Sequence, residues 1–247
     1  MTDFVLVHGA WGGSWCWARV RDRLAAAGHR VFTPTLTGLG ERSHLLSPDV
    51  GLETHILDVV NLIQWEGLHD FVLVGHSYGG VIVRHVADRM AERVRELVYL
   101  DAFVPEHGQS LNDLAPGYAE MFRAQAIEFG DGWRMPPIPA AVFAVNDADA
   151  AWVDAQSTPH PLVTFETPAQ LTGACDRIAS IGYILAAGFA NSPFPKFHEA
   201  AAARGWWREA IDCGHDVMLD APDDLCAILL ADRVSCVGAP AGSRSLH

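Results

Sequence analysis

Phe71-Val72-Leu73-Val74-Gly75-His76-Ser77-Tyr78-Gly79-Gly80-Val81-Ile82-Val83-Arg84-His85-Val86-Ala87 decides how the rest of this 247-residue chain is read. Its first four residues are a continuous apolar run, and the seven after Gly80 read as a buried helix. Between them lies G-x-S-x-G. A serine in that pattern, between strand and helix, sits on a sharp turn with its hydroxyl exposed above the sheet. Gly75 and Gly79 keep Cβ atoms out of the space where strand and helix nearly collide, and Gly80 allows the two to pack closely. Alone the motif is a moderate signal, because glycine and serine are common in loops. Its flanks raise it, and Ser77 becomes the candidate nucleophile.

Outward from the elbow, strand and helix patterns alternate. Phe4 to Val7 is a short buried strand ending at His8-Gly9. Trp15 to Ala27 repeats apolar residues at three and four positions, predicting a helix N-capped near Ser14 and stopped by Gly28. Arg30 to Thr33 is a second strand, Thr35 to Pro48 a long polar loop, and Glu53 to Trp65 a second helix ended by Gly67. Past the elbow helix, Arg95 to Leu100 is a fourth strand ending at Asp101. This order predicts an α/β fold with a doubly wound, mostly parallel sheet. Right-handed crossovers, and ligand sites beyond the carboxyl ends of strands, then put His8-Gly9-Ala10, Ser77 and Asp101 on one rim.

From Phe103 to about Ser180 the alternation is lost. Prolines gather at 136, 137, 139, 159, 161 and 168, and Tyr118 to Phe129 and Asp147 to Gln156 read as short helices. Large apolar residues, among them Met121, Phe122, Trp133, Met135, Phe143 and Trp152, suggest an inserted cap that walls a pocket. The same residues also fit a second packing layer with no cavity. Ile181 to Ala187 resumes as a strand, Pro195 to Ala203 as a helix and Trp206 to Ile211 as a last strand, before a closing helix from Pro222 to Val234. The expected division is core at 1–102 and 181–237, cap at 103–180, and a flexible polar tail at 238–247.

Composition narrows the function. Half the residues are apolar, and the formal charge of −13, with no basic run, argues against a nucleic-acid partner. No stretch approaches a membrane span; the best, Ile178 to Ala190, is broken by Gly182 and Gly188. No basic, then apolar, leader precedes Phe4. The five cysteines are scattered without C-x-x-C spacing, pointing to free thiols and a cytoplasmic protein. The twelve histidines show no H-x-x-x-H pair, so no metal or other cofactor is expected. The chain is expected to act as a monomer or homodimer.

A serine hydroxyl needs a base within hydrogen-bond reach, usually a histidine oriented by a carboxylate. His76 adjoins the nucleophile, so its side chain points away and packs; His8 shapes the turn before Gly9. His215, in the turn-rich Asp212-Cys213-Gly214-His215-Asp216, lies beyond every candidate carboxylate but Asp216 and fits the order serine, acid, histidine. The backbone N–H of Tyr78, at the head of a helix, is one oxyanion donor.

Val5-Leu6-Val7-His8-Gly9-Ala10-Trp11, the elbow, and Cys213-Gly214-His215-Asp216-Val217-Met218-Leu219 together resemble an α/β-hydrolase. More narrowly they resemble small esterases grouped with plant methyl esterases, hydroxynitrile lyases and bacterial pyrethroid- and salicylate-ester-type hydrolases. The resemblance implies the N–H of Ala10 as second oxyanion donor; Trp11, beside that turn, and Phe103, Met121, Trp133 and Met135 of the apolar cap are the expected pocket walls. Many such enzymes carry the acid after the strand matching Ile181 to Ala187, but Gly188-Phe189-Ala190-Asn191-Ser192 has no carboxylate. Asp101, one strand earlier, occupies the fold's alternative position and is preferred over Asp176, Glu199 and Asp216. The related lyases carry lysine after the base; Asp216 there disfavours cyanide release. A serine nucleophile likewise disfavours dehalogenation.

The implied activity is hydrolysis of a small hydrophobic ester, aryl or methyl, through an acyl-enzyme. Carbon–carbon, lactone or amide hydrolysis uses the same triad. A ligand receptor with residual activity is the rival of another class.

Overall fold

The computed structural model describes residues 1–190 and 192–231. Its main sheet is built from β1 (Asp3–Val7), β2 (Arg30–Phe32), β3 (Phe71–His76) and β4 (Val94–Leu100) in the first half. After two two-residue strands, β5 (Arg134–Met135) and β6 (His160–Pro161), it resumes with β7 (Ser180–Ala186) and β8 (Trp207–Ile211). The order is β2-β1-β3-β4-β7-β8, every neighbouring pair parallel. Three helices precede β4: α1 (Ala18–Ala26), α2 (Leu52–Trp65) and α3 (Gly79–Arg89).

Alternate strand residues serve opposite faces of the sheet. Val5, Val7, Leu73, Leu97 and Tyr99 pack into one apolar cluster with α2 and α3 residues such as Ile56 and Val86. Phe4, Leu6, Val72, Val74 and Leu100 pack into another with Val20 and Leu24 of α1. With both faces covered, the central strands are continuously apolar, as the sequence shows.

The order reverses between β1 and β3, and there the turn after β1 meets the elbow after β3. The approach is tight: an added Cβ on Gly79 would lie 2.7 Å from the carbonyl oxygens of both Val7 and His8. Both obstacles are backbone and cannot swing aside. Gly79→Ala is therefore expected to destabilise the fold by about 1–3 kcal/mol, read as a lower urea midpoint.

Residues 103–180 carry α4 (Leu111–Leu114) and α5 (Pro116–Phe129), a helix at Asp147–Gln156 and the antiparallel β5–β6 pair. The pair was not foreseen, since two-residue strands leave no periodic signal. Among the described residues no helix is long and apolar enough to cross a membrane.

Several expectations need correction. Ser14 does not cap α1: it opens a 3₁₀ turn at Ser14–Trp17, its N–H donates to Thr35 Oγ1, and its hydroxyl bonds Thr33 Oγ1 at 2.9 Å. Thr35 to Pro48 is not simply polar, because Leu36 and Leu39 are fully buried and Gly40–Leu45 forms a 3₁₀ helix. The elbow strand extends past Val74 to His76. The last helix is seen at Pro222–Leu230; its expected end at Val234, and the tail at 238–247, lie outside the described residues.

Candidate active site

Ser77 follows β3 with φ +54°, a left-handed conformation that non-glycine residues seldom adopt. The strain is held by neighbours on both sides. Ser77 N–H donates to Leu100 O at 3.3 Å, and its carbonyl accepts from Phe103 N–H and Gly80 N–H, each at 3.1 Å. Trp11 (φ +60°) and Asp101 (φ +42°) are left-handed too, so the turns after β1, β3 and β4 all bend sharply at the same rim.

The structure brings Asp101 and His215, 114 positions apart, into contact: Nδ1–H of His215 donates to Asp101 Oδ2 at 2.6 Å. Asp101 is 0 % exposed, and its Oδ1 accepts from Ala186 N–H at 3.1 Å, so β7 holds the other oxygen. Burial pushes the Asp101 carboxyl up, opposed by the Ala186 hydrogen bond. Burial pushes the His215 imidazole down; Phe194 stacks on its ring at 5.0 Å, and Phe143 and Phe189 lie at 5.3 and 5.2 Å. Among the described residues neither Ser77 Oγ nor His215 Nε2 has a hydrogen-bond partner.

Ser77 and His215 line a cavity of about 260 Å³. Its walls are almost wholly apolar, with Trp11, Phe103, Phe122, Phe143 and Phe165 prominent. Ala10 and Tyr78 line it as well, and among the described residues neither backbone N–H makes a hydrogen bond. Beside Ser77 and His215 opens a second, smaller cavity of about 40 Å³, reached by Ser157 and Asp216.

Of the five expected pocket residues, Trp11, Phe103 and Met121 line the large cavity and Trp133 and Met135 do not. Met135 is fully buried in the core because β5 pairs it with His160. Trp133 is tied to the same ladder through its carbonyl, which accepts from Leu162 N–H at 2.8 Å. Phe165, Phe189 and Phe194 went unnoticed as walls. Phe122 is one of the apolar cap residues read from the sequence; Tyr118 and Gln125, four before and three after it along α5, follow from that spacing.

None of the other candidate carboxylates reaches the His215 ring nitrogens. Asp176 pairs with Arg84 at 2.8 Å, Glu199 is exposed, and Asp216 sits 3.8 Å from His76 Nε2. His76 is buried, and its Nε2–H donates to the carbonyl of His215 at 3.0 Å, so it steadies the loop that bears the imidazole. His8 donates from Nδ1 to Gly9 O at 2.7 Å. Among the described residues no cluster of His, Cys, Asp or Glu is arranged to hold a metal ion.

Residues 4–228 match the family described as Alpha/beta hydrolase family. The chain belongs to it. A carbendazim-hydrolysing esterase from a Nocardioides species is 46 % identical over 241 residues, covering 94 % of this chain and 99 % of that protein. Methylesterase 8 of Arabidopsis thaliana is 33 % identical over 104 residues, 42 % of this chain and 38 % of its own length. Among solved structures, an extracellular α/β-hydrolase from a Paenibacillus species superposes with a TM-score of 0.78 at 24 % identity, covering 93 % of this chain and 98 % of its own. That likeness concerns the hydrolase fold itself.

Proposed function

We propose that this α/β-hydrolase cleaves a small hydrophobic carboxylic ester, aryl or methyl, through an acyl-enzyme on Ser77. The observation that carries the reading is the 2.6 Å contact of Asp101 with His215 beside a strained Ser77 at the floor of an apolar cavity. Ser77 Oγ attacks the ester carbonyl as His215 Nε2 takes its proton. The tetrahedral intermediate collapses, and the alcohol leaves with that proton. Water, losing a proton to His215, then releases the acid and restores Ser77. Asp101 orients the imidazole and stabilises its charged form. The free N–H groups of Ala10 and Tyr78 receive the negative charge that develops on the carbonyl oxygen.

The substrate class draws support from the cavity and from the relatives. Aromatic walls suit an aryl acyl group, and the 40 Å³ cavity has room for a small alcohol such as methanol. The carbendazim-hydrolysing and methylesterase relatives agree with such esters. Residues 103–180 act as the cap that supplies most of the walls. Unpaired Cys16, Cys175, Cys213 and Cys226 favour a cytoplasmic setting, although Cys213 is only half-buried. The enzyme is expected to work as a monomer or homodimer, without nucleic acid, membrane or cofactor.

Steady multiple turnover of p-nitrophenyl butyrate and of a methyl aryl ester is the expected result. A single burst without turnover, with a ligand-dependent rise in Tm, would support a receptor instead. The pH profile follows from His215. The base must be neutral to take the serine proton, and burial lowers its pKa from 6.5, so the neutral form persists to lower pH. The acid limb of kcat/KM is expected below pH 6.5; a limb at or above that value would show that the Asp101 contact outweighs burial.

A further inference from the structure

We propose that His55 is a positioning residue for the oxyanion hole, acting through the Tyr78 side chain; the inference rests on the hydrolase reading above. Tyr78 is fully buried beneath the cavity floor, and its hydroxyl donates to His55 Nδ1 at 2.9 Å. The tautomer is settled by the opposite side of the ring. His55 Nε2 lies 2.9 Å from the carbonyl oxygen of Thr37, which can only accept, so Nε2 carries the hydrogen and Nδ1 takes the tyrosine's. Burial lowers the His55 pKa to about 4, which keeps Nδ1 an acceptor through the neutral range.

Thr37 is a firm anchor. Its N–H and hydroxyl both donate to Asp58, at 2.6 and 2.8 Å, and Arg42 donates to the same carboxylate at 3.1 Å. The preceding residue serves the other arm of the hole. Leu36 N–H donates to His8 Nε2 at 3.0 Å, and His8 Nδ1–H donates to Gly9 O, directly before Ala10. Two consecutive loop residues thus hold both backbone donors through two neutral imidazoles.

Neither His55 nor Thr37 lines either cavity, so His55 acts on the chemistry through a neighbour, and its hydrogen-bonded one, Tyr78, carries the backbone donor. Oxyanion donors help because they are fixed before charge develops. Losing the imidazole takes away one of the two side-chain partners of the buried tyrosine hydroxyl and leaves it Thr164 alone. The ring must then re-seat and carry with it the backbone N–H at the head of α3, and a misplacement of about 1 Å can cost about a hundredfold in rate.

The test is steady-state turnover of p-nitrophenyl butyrate by wild type, His55→Phe, His55→Gln, Tyr78→Phe and the His55→Phe/Tyr78→Phe double variant, with thermal unfolding recorded for each. His55→Phe is expected to lower kcat by about 10- to 100-fold with KM within about twofold. His55→Gln, which can accept from the tyrosine and donate to Thr37, restores most of the loss. The double variant falls no further than the worse single one, because both break one connection. A kcat for His55→Phe within twofold of wild type, parallel changes in KM, or multiplying losses in the double variant would each overturn the inference. Should His55→Phe not fold, Tyr78→Phe decides, since it removes one oxygen; near-wild-type kcat there overturns the role of His55. Normal wild-type turnover with indifferent His55 variants sinks this inference alone, whereas wild type inert towards every ester sinks the hydrolase reading with it.

Discussion

Ser77→Ala is expected to lower kcat on p-nitrophenyl butyrate by about a million-fold, the scale seen when a triad serine is removed. The loss is large because no other described group replaces the hydroxyl. Cys213 is half-buried with its thiol pushed up to about 12, and Cys16 is buried with its thiol also pushed well up by burial, so neither supplies a thiolate. Folding should survive, since alanine keeps the Cβ and replaces one non-glycine residue at φ +54° with another. A small residual rate from the oxyanion donors and binding remains, about a thousandfold or more above water. A sulfonyl fluoride should add one adduct to wild type and none to Ser77→Ala, read by intact mass. A variant retaining above about one per cent of the wild-type rate would remove Ser77 from the mechanism.

The elbow was legible because its cause is local. Gly75, Gly79 and Gly80 mark where three backbones crowd, and a run of four apolar residues ahead of them can hardly be anything but a buried strand. The meeting of Asp101 with His215 is of another kind. It requires β7 to pair with both β4 and β8, which alternation of strands suggests but no single segment encodes. Cap residues were the least legible, since an aromatic residue states that it wants burial and not on which side. Met135 and Phe194 are equally apolar in sequence, yet a two-residue ladder takes one into the core while the loop after β7 lays the other on the His215 imidazole. His55 gave no signal either: in an amphipathic helix it reads as one more buried position, and its tie to Tyr78 exists only once α2 and α3 are packed.

Asp101→Asn is expected to lower kcat by about ten-thousandfold while the protein folds normally. The carboxylate has two tasks, and asparagine can do neither well. Oδ2 accepts Nδ1–H of His215, which fixes the tautomer that leaves Nε2 free to take the serine proton. An asparagine NH₂ turned towards His215 would favour the opposite tautomer, with the hydrogen on Nε2. An asparagine oxygen turned there would keep the tautomer but supply no charge to the imidazolium that forms. Which way it turns is biased by Ala186 N–H, which needs an acceptor at the Oδ1 position and so directs the NH₂ to His215. The damaging orientation is the favoured one. Asp216→Asn provides the contrast: its carboxylate lies 3.8 Å from His76 Nε2 and makes no contact with the His215 ring nitrogens, so its loss should stay within about tenfold. Measured side by side on p-nitrophenyl butyrate, a small effect at Asp101 with a large one at Asp216 would transfer the acid's role to Asp216. Equal and small effects would leave His215 working without a carboxylate partner, which its burial among Phe143, Phe189 and Phe194 makes costly, since the imidazolium formed in each step would have no compensating charge.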